Sequence, residues 1–100
     1  NGTTTTVNST TTQLDDPIMT LGGDTAPSSD DNKDRGIEFR YYSGSAKLGF
    51  MGWDDSEEKF TLMTDATNSS EQFSGTLAAL KMGALTASSV TGATIDGGTY

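Results

Sequence analysis

Six of the eight aromatic residues of this 100-residue chain fall in one stretch, GIEFRYYSGSAKLGFMGWDDSEEKF, running from Gly36 to Phe60. They are Phe39, Tyr41, Tyr42, Phe50, Trp53 and Phe60. The rest of the chain is mostly Thr, Ser, Gly and Asp. A compact core can therefore form only in one short β-meander, and what surrounds it needs support from elsewhere. That favours an extended, assembled structural protein over a free-standing enzyme.

The meander is written in period-two alternation. Ile37, Phe39 and Tyr41 alternate with Glu38, Arg40 and Tyr42, the mark of a strand with one buried face. Ser43-Gly44-Ser45 supplies a hairpin turn. Leu48 and Phe50 alternate with Lys47, Gly49 and Met51, and the shift at Gly52-Trp53 suggests a bulge or a strand end. A second turn, Asp54 to Glu58, leads to a third strand with Phe60, Leu62 and Thr64 on one side and Met63 on the other. The expected buried set is Ile37, Phe39, Leu48, Phe50, Phe60 and Leu62, each worth about 1.5–3 kcal/mol before the cost of ordering the chain.

That set is small for the length. Apolar residues make up 32 % of the chain, and a domain of this size buries only around two-thirds of its unfolded surface. Yet Thr and the aromatics favour strands, whereas disordered chains favour Pro, Glu, Lys and Gln. A polar, β-prone and ordered chain completes its core with copies of itself.

Several functions are excluded by residue type. Without Cys there is no disulfide framework and no thiolate metal site. Without His, Ser9, Ser43 and Ser74 lack the usual activating base. A net charge of −8 argues against nucleic acid, which calls for clustered Lys and Arg. No apolar run approaches the ~20 residues that span a bilayer, so no membrane insertion is expected. No signal peptide is visible and the chain starts at Asn1, as a processed or partial chain would.

Outside the meander the reading is coarser. Residues 1–20 form an extended N-terminal segment, with a strand over Thr4 to Ser9 and a second over Ile18 to Leu21 stopped by Gly22-Gly23. A polar loop over 24–35 opens the knob, which spans 21–76, with Asp65 to Ser70 as a polar turn. Leu77 to Met82 reads as a helical turn too short to stand alone. In 77–100, Leu80, Leu85, Val90, Ile95 and Tyr100 recur every five residues with small residues between them. Sustained spacing of this kind writes a shaft or solenoid that needs stacked rungs or sister chains. It faintly resembles the pentapeptide-repeat β-helix, of which about one coil is present.

Candidate sites are few. Asp30, Asn32 and Asp34 have the alternating spacing of a calcium loop, but Arg35 stands where the tight-turn Gly belongs and Tyr41 where the bidentate Glu belongs. A solvated loop is the favoured reading, and no cofactor is expected. Asp54, Asp55, Glu57 and Glu58 read as a solvated hairpin tip rather than two carboxylates facing across a cleft. Asn1, Asn8 and Asn68 match the glycosylation triplet, as chance allows in a Thr/Ser-rich chain. Tyr42 and Trp53 are candidates for an aromatic surface contact with a sugar. The alternative places Trp53 at one end of the core and leaves Tyr42 alone outside.

Asp15 to Thr76 resembles a module of virion structural proteins of tailed phages, most familiar from phages of marine bacteria. The resemblance is carried by PIMTLGGDTAP, by DDNKDRGIEFRY, by the Leu48-to-Asp55 segment LGFMGWDD, and by the Phe60 strand followed by DATN and FSGT. The tail VTGATIDGGTY is similar to the Thr/Gly/Ile/Asp repeats of fibre shafts. The resemblance implies a part of a phage particle, located on the virion, trimeric and thread-like, with no catalytic residues carried over.

The combined expectation is an all-β, elongated, intertwined homotrimeric fibre with a β-meander knob and a β-helical or β-prism shaft. Its partners are copies of itself and other virion proteins, and its role is to position a host-binding end. In a second reading the knob itself contacts a host-surface glycan through Tyr42, Trp53 and the acidic turns.

Overall fold

The computed structural model describes Thr6 and residues 8–92, and all structural statements below concern those residues. The protein is all-β. Strands β1 (Arg35–Tyr42), β2 (Ala46–Asp54), β3 (Lys59–Ser69) and β4 (Gln72–Leu77) form one antiparallel sheet in the order β1-β2-β3-β4. The meander thus has four strands where three were expected. β3 continues through Asp65–Ser69, which the sequence marks as a turn. The polar run stays in the sheet because β3 carries a register irregularity between Thr64 and Thr67, with Asp65 at φ 51°. The actual turn is Ser70-Glu71, both residues at positive φ (54° and 66°). This is the two-residue hairpin geometry that usually recruits Asn-Gly, so its sequence gives no warning of it.

The first two hairpin loops set which residues of β1, β2 and β3 share a face. The three-residue loop 43–45 pairs Tyr42 with Ala46, and so Phe39 with Gly49 and Ile37 with Met51. The four-residue loop 55–58 pairs Asp54 with Lys59, and so Trp53 with Phe60, Met51 with Leu62 and Phe50 with Met63. Directly paired residues lie on the same side of a sheet. One face therefore carries Glu38, Leu48, Phe50, Gly52, Met63, Phe73 and Leu77. The other carries Ile37, Phe39, Tyr41, Met51, Trp53, Phe60 and Leu62. The pairing between β1 and β2 is unbroken through Gly52 and Trp53, so no bulge lies there.

This corrects the expected core. Phe50 and Met63 are the buried hydrophobic residues, at 1 % and 5 % exposure. Ile37, Phe39 and Phe60 are exposed, and Leu48 and Leu62 are half-buried. Met63, expected on the opposite side, is in the core because the four-residue loop brings it beside Phe50.

The sheet curls around the Phe50 face. Contacts across that face skip intervening strands. The Phe50 ring on β2 stacks on Phe73 of β4, with centroids 4.2 Å apart and planes 16° apart. Asn68 Nδ2 on β3 donates to Glu38 Oε1 on β1 at 2.8 Å. Gly36 and Gly52 pair on this face. A Cβ on Gly36 would stand 2.8 Å from both the Gly52 Cα and the Phe50 ring, so neither strand can approach the other with a side chain there.

Residues 8–34 and 78–92 contain no strand or helix. Ile18 to Leu21, expected as a strand, is exposed irregular chain. It lacks a pairing partner in the single chain, and a short apolar run alone cannot hold extended backbone. Of the expected strand over Thr4 to Ser9, Thr4, Thr5 and Val7 lie outside the described residues, and Thr6, Asn8 and Ser9 are in no strand. The five-residue series is exposed at Leu80, Leu85 and Val90, and Ile95 and Tyr100 lie outside the described residues. Residues 78–82 form no helical turn. The radius of gyration is 16.7 Å, against about 13 Å for a compact domain of 100 residues.

Candidate functional site

Three features stand out: the loop entering β1, the acidic turn between β2 and β3, and the apolar outer face of the sheet.

The entering loop is stitched by its own acids. Asp30 Oδ1 accepts from the Asn32 N–H at 2.7 Å and Asp31 Oδ1 from the Lys33 N–H at 3.0 Å. Arg35 closes a two-pronged ion pair on Asp31, at 3.3 and 3.1 Å, and donates to the Lys33 carbonyl at 3.0 Å. The Arg35 guanidinium, followed by the Lys33 N–H, holds the Asp31 carboxyl below its ordinary range. Gly22, at φ 101°, lies against this guanidinium, where a Cβ would stand 2.6 Å from Arg35 Nε. Lys33 pairs with Glu71 at 2.9 Å and lowers its pKa.

Asp34 has a different task. Its Oδ1 accepts from the Asp55 N–H at 2.9 Å and its Oδ2 from the Phe73 N–H at 2.7 Å. Its own N–H donates to the Glu71 carbonyl at 2.9 Å. One half-buried carboxylate thus ties the chain entering β1 to the β2–β3 turn and to β4. Of the calcium-loop candidates Asp30, Asn32 and Asp34, the third has both oxygens taken by backbone donors. Among the described residues no three acids are grouped so as to hold a metal ion.

The turn after β2 is not a uniformly solvated tip. Asp54 is buried, at 7 % exposure. Its Oδ1 accepts from the Ser56 N–H (3.0 Å), the Ser56 hydroxyl (2.8 Å) and the Glu57 N–H (3.3 Å). Its carbonyl accepts from the Glu58 N–H at 2.7 Å. An acid placed at the strand end satisfies the turn's own donors, as Asp does in Asx turns. Next to it, Asp55 is partly exposed, and partial burial followed by the nearby Asp30, Asp31 and Asp34 raises its pKa.

The sign of that shift is testable. A carboxyl whose folded pKa lies above its unfolded value favours the fold at low pH and loses this contribution as pH rises through the folded pKa. Asp55→Asn is therefore expected to be more stable than the unmodified protein at pH 7, with the difference vanishing below about pH 4. Urea unfolding of both proteins across this range measures it. An equal difference at all pH values would exclude the charge of Asp55 as its origin.

A cleft opens between the entering loop and the β3–β4 turn, lined by Leu21, Asp31, Arg35, Glu38, Asn68 and Phe73. Its polar groups are paired with one another, as Arg35 with Asp31 and Glu38 with Asn68. No buried side-chain nitrogen or oxygen among the described residues lacks a hydrogen-bond partner.

Tyr42 and Trp53 do not form one aromatic platform. Tyr42 sits at the end of β1 on the Phe50 side and is 77 % exposed. Trp53 is at the far end of β2 on the opposite face, with Phe60 edge-on to it at 5.2 Å and 74°. The partner of Trp53 is thus Phe60, which the sequence assigns to the core. Asn8 is exposed, Asn68 is engaged by Glu38 and by the Glu71 N–H at 2.7 Å, and Asn1 lies outside the described residues.

The third feature is the apolar outer face. Ile37 is 46 % exposed, Phe39 43 %, Met51 47 % and Phe60 85 %, with Trp53 and Leu62 half-buried beside them. Residues 8–32 and 79–92 are all exposed. The sequence signal for this face was available in the three-residue Ser43-Gly44-Ser45 loop, which forces odd-numbered β1 residues onto the side of Met51 and Trp53.

No protein-family model, no curated protein and no solved structure matches the chain.

Proposed function

We propose that this protein is a structural subunit that becomes complete only in an assembly of identical chains, and that the assembly is an external part of a tailed-phage particle, a fibre or tail appendage that positions a host-binding end. One observation carries the assembled reading: the described chain supplies a single sheet layer, buries Phe50 and Met63, and leaves large apolar side chains exposed from Leu14 to Val90. Stable domains pack two layers around a core, and an obligate oligomer obtains the second from its partner. The phage setting rests on the resemblance of Asp15 to Thr76, and the trimer on the same ground. A structural rather than catalytic role is favoured by the mutual pairing of the polar groups in the cleft.

Native mass spectrometry of the purified chain tests the first half of the proposal, with a trimer expected at micromolar concentration. A rigid, cooperatively unfolding monomer under the same conditions would refute it. Antibody labelling of purified phage particles tests the second half, and label confined to the surrounding medium would reject the virion assignment.

A further inference from the structure

We infer that the outer face of the sheet, centred on Met51 and Leu62 and flanked by Ile37, Phe39, Trp53 and Phe60, is the surface on which copies of this chain pack against one another. The inference rests on the assembled reading above and adds to it the face that is used.

The first argument is patterning. An antiparallel sheet with one wet side alternates apolar and polar residues. This sheet does not. Phe50, Met63 and Phe73 fill its concave side, while Ile37, Phe39, Met51, Trp53, Phe60 and Leu62 occupy the other. A sheet apolar on both sides is built to be covered on both sides. The Phe39 ring also occupies the place that a side chain on its partner Gly49 would take.

The second argument is area. Taking about 200 Å² for a fully exposed side chain of this size, Ile37, Phe39, Met51 and Phe60 together leave roughly 450 Å² exposed. This is within the range of the largest patch found on soluble monomers, about 300–600 Å². It is also more than half of the ~800 Å² each partner contributes to a standard interface. Thr64, Ser74 and Thr76 lie on the same face as a polar rim.

The third argument is charge, and it selects an identical copy over other occupants. The chain carries −8 overall, so copies repel unless they meet where acids are few and paired. The carboxylate that the strands bring to this face is Asp65 of β3, and Lys47 pairs with it at 3.4 Å. At the edge of the face Arg35 lines the cleft and pairs with Asp31 at 3.1 Å. Two such faces can come together without opposing like charges. An acidic partner would have to break those internal pairs to gain from them, and a strongly basic one would be drawn to the acid-rich side instead.

Trp53 is the sole tryptophan and lies on this face, so the unmodified protein reports on it. On dilution of the full chain from micromolar to nanomolar, Trp53 emission is expected to move to the red and its quenching by acrylamide to rise, in step with dissociation followed by sedimentation. Met51→Lys and Phe60→Lys change exposed side chains and are expected to weaken association at least ~30-fold, the size of a hot-spot loss. Tyr42→Lys on the other face is expected to stay within about threefold, as near-neutral positions do. If a lysine variant fails to fold by circular dichroism, the dilution series on the unmodified chain decides.

An assembled protein whose Trp53 signal ignores dissociation, or whose folded Met51→Lys and Phe60→Lys variants associate normally, overturns the choice of face and leaves the assembled reading standing. A monomer at every concentration overturns both, and assigns the face to a partner of different chemistry.

Discussion

Phe50→Ala is expected to abolish cooperative folding of this sheet. Phe50 is the most completely buried side chain, at 1 % exposure, and its ring is stacked on Phe73 across the curl. Removing a buried Phe costs about 3–5 kcal/mol, because transfer energy and packing contacts are lost together. Ordinary domains have only about 5–15 kcal/mol in total. Here the loss falls on a core whose only other buried apolar residue, among those described, is Met63, so little packing remains to hold the strands. The geometry points the same way. Phe50 sits on β2 and Phe73 on β4, so their stack joins two strands that do not pair with each other. Without it the curl has no filling, and Gly36 and Gly52 provide no side chains to replace it. Circular dichroism and urea unfolding of the purified variant measure the loss. Phe50→Leu, which refills most of the volume, is expected to retain a transition. An alanine variant within 1 kcal/mol of the unmodified protein would show that the core lies elsewhere.

Asp34→Ala is expected to cost about 2–4 kcal/mol, from two charge-assisted hydrogen bonds and the donors left behind. The exposed ion pairs nearby should matter far less. Lys33–Glu71 has side chains 40 % and 66 % exposed, and such pairs contribute about 0–1 kcal/mol. The difference lies in what Asp34 accepts from. Both donors are backbone N–H groups, of Asp55 and Phe73, which belong to parts of the chain 21 and 39 residues away. With alanine they lose their acceptor at a half-buried place. Hydrogen exchange gives the local readout: the Asp55 and Phe73 amides should exchange faster in Asp34→Ala than the rest of the sheet. Asp34→Asn keeps one acceptor oxygen and should fall between the two. An alanine change at exposed Asp24 is the reference, and an Asp34 variant no less stable than that one would remove the staple from the account of the fold.

Much of the fold was legible beforehand. Alternation over Ile37–Tyr42, Leu48–Phe50 and Phe60–Thr64 marked three of the four strands, and the polar chain on either side marked segments with no core of their own. β4 was missed because its turn, Ser70-Glu71, takes the left-handed conformation without Gly or Asn. The polar run Asp65–Ser69 also imitates a loop. Ile18–Leu21 reads as a strand by residue type, but extended backbone needs a neighbour to pair with, which no local pattern supplies. The candidate site was less legible still. Asp34 and Asp54 look like any other acids in an acid-rich chain, and only the approach of distant N–H groups separates them from Asp30 or Glu57.

Composition and alternation determined that the chain is all-β, that its core is small, and that it lies in the meander. Which residues fill the core was decided by pairing. Side chains alternate with a period of two, so the parity of a hairpin loop chooses which face a whole strand presents. The loops of three and four residues put Phe50 with Met63 and set Ile37, Phe39, Met51 and Phe60 together on the open side. Alternation alone cannot make that choice, because it is a property of one strand, and a face belongs to several.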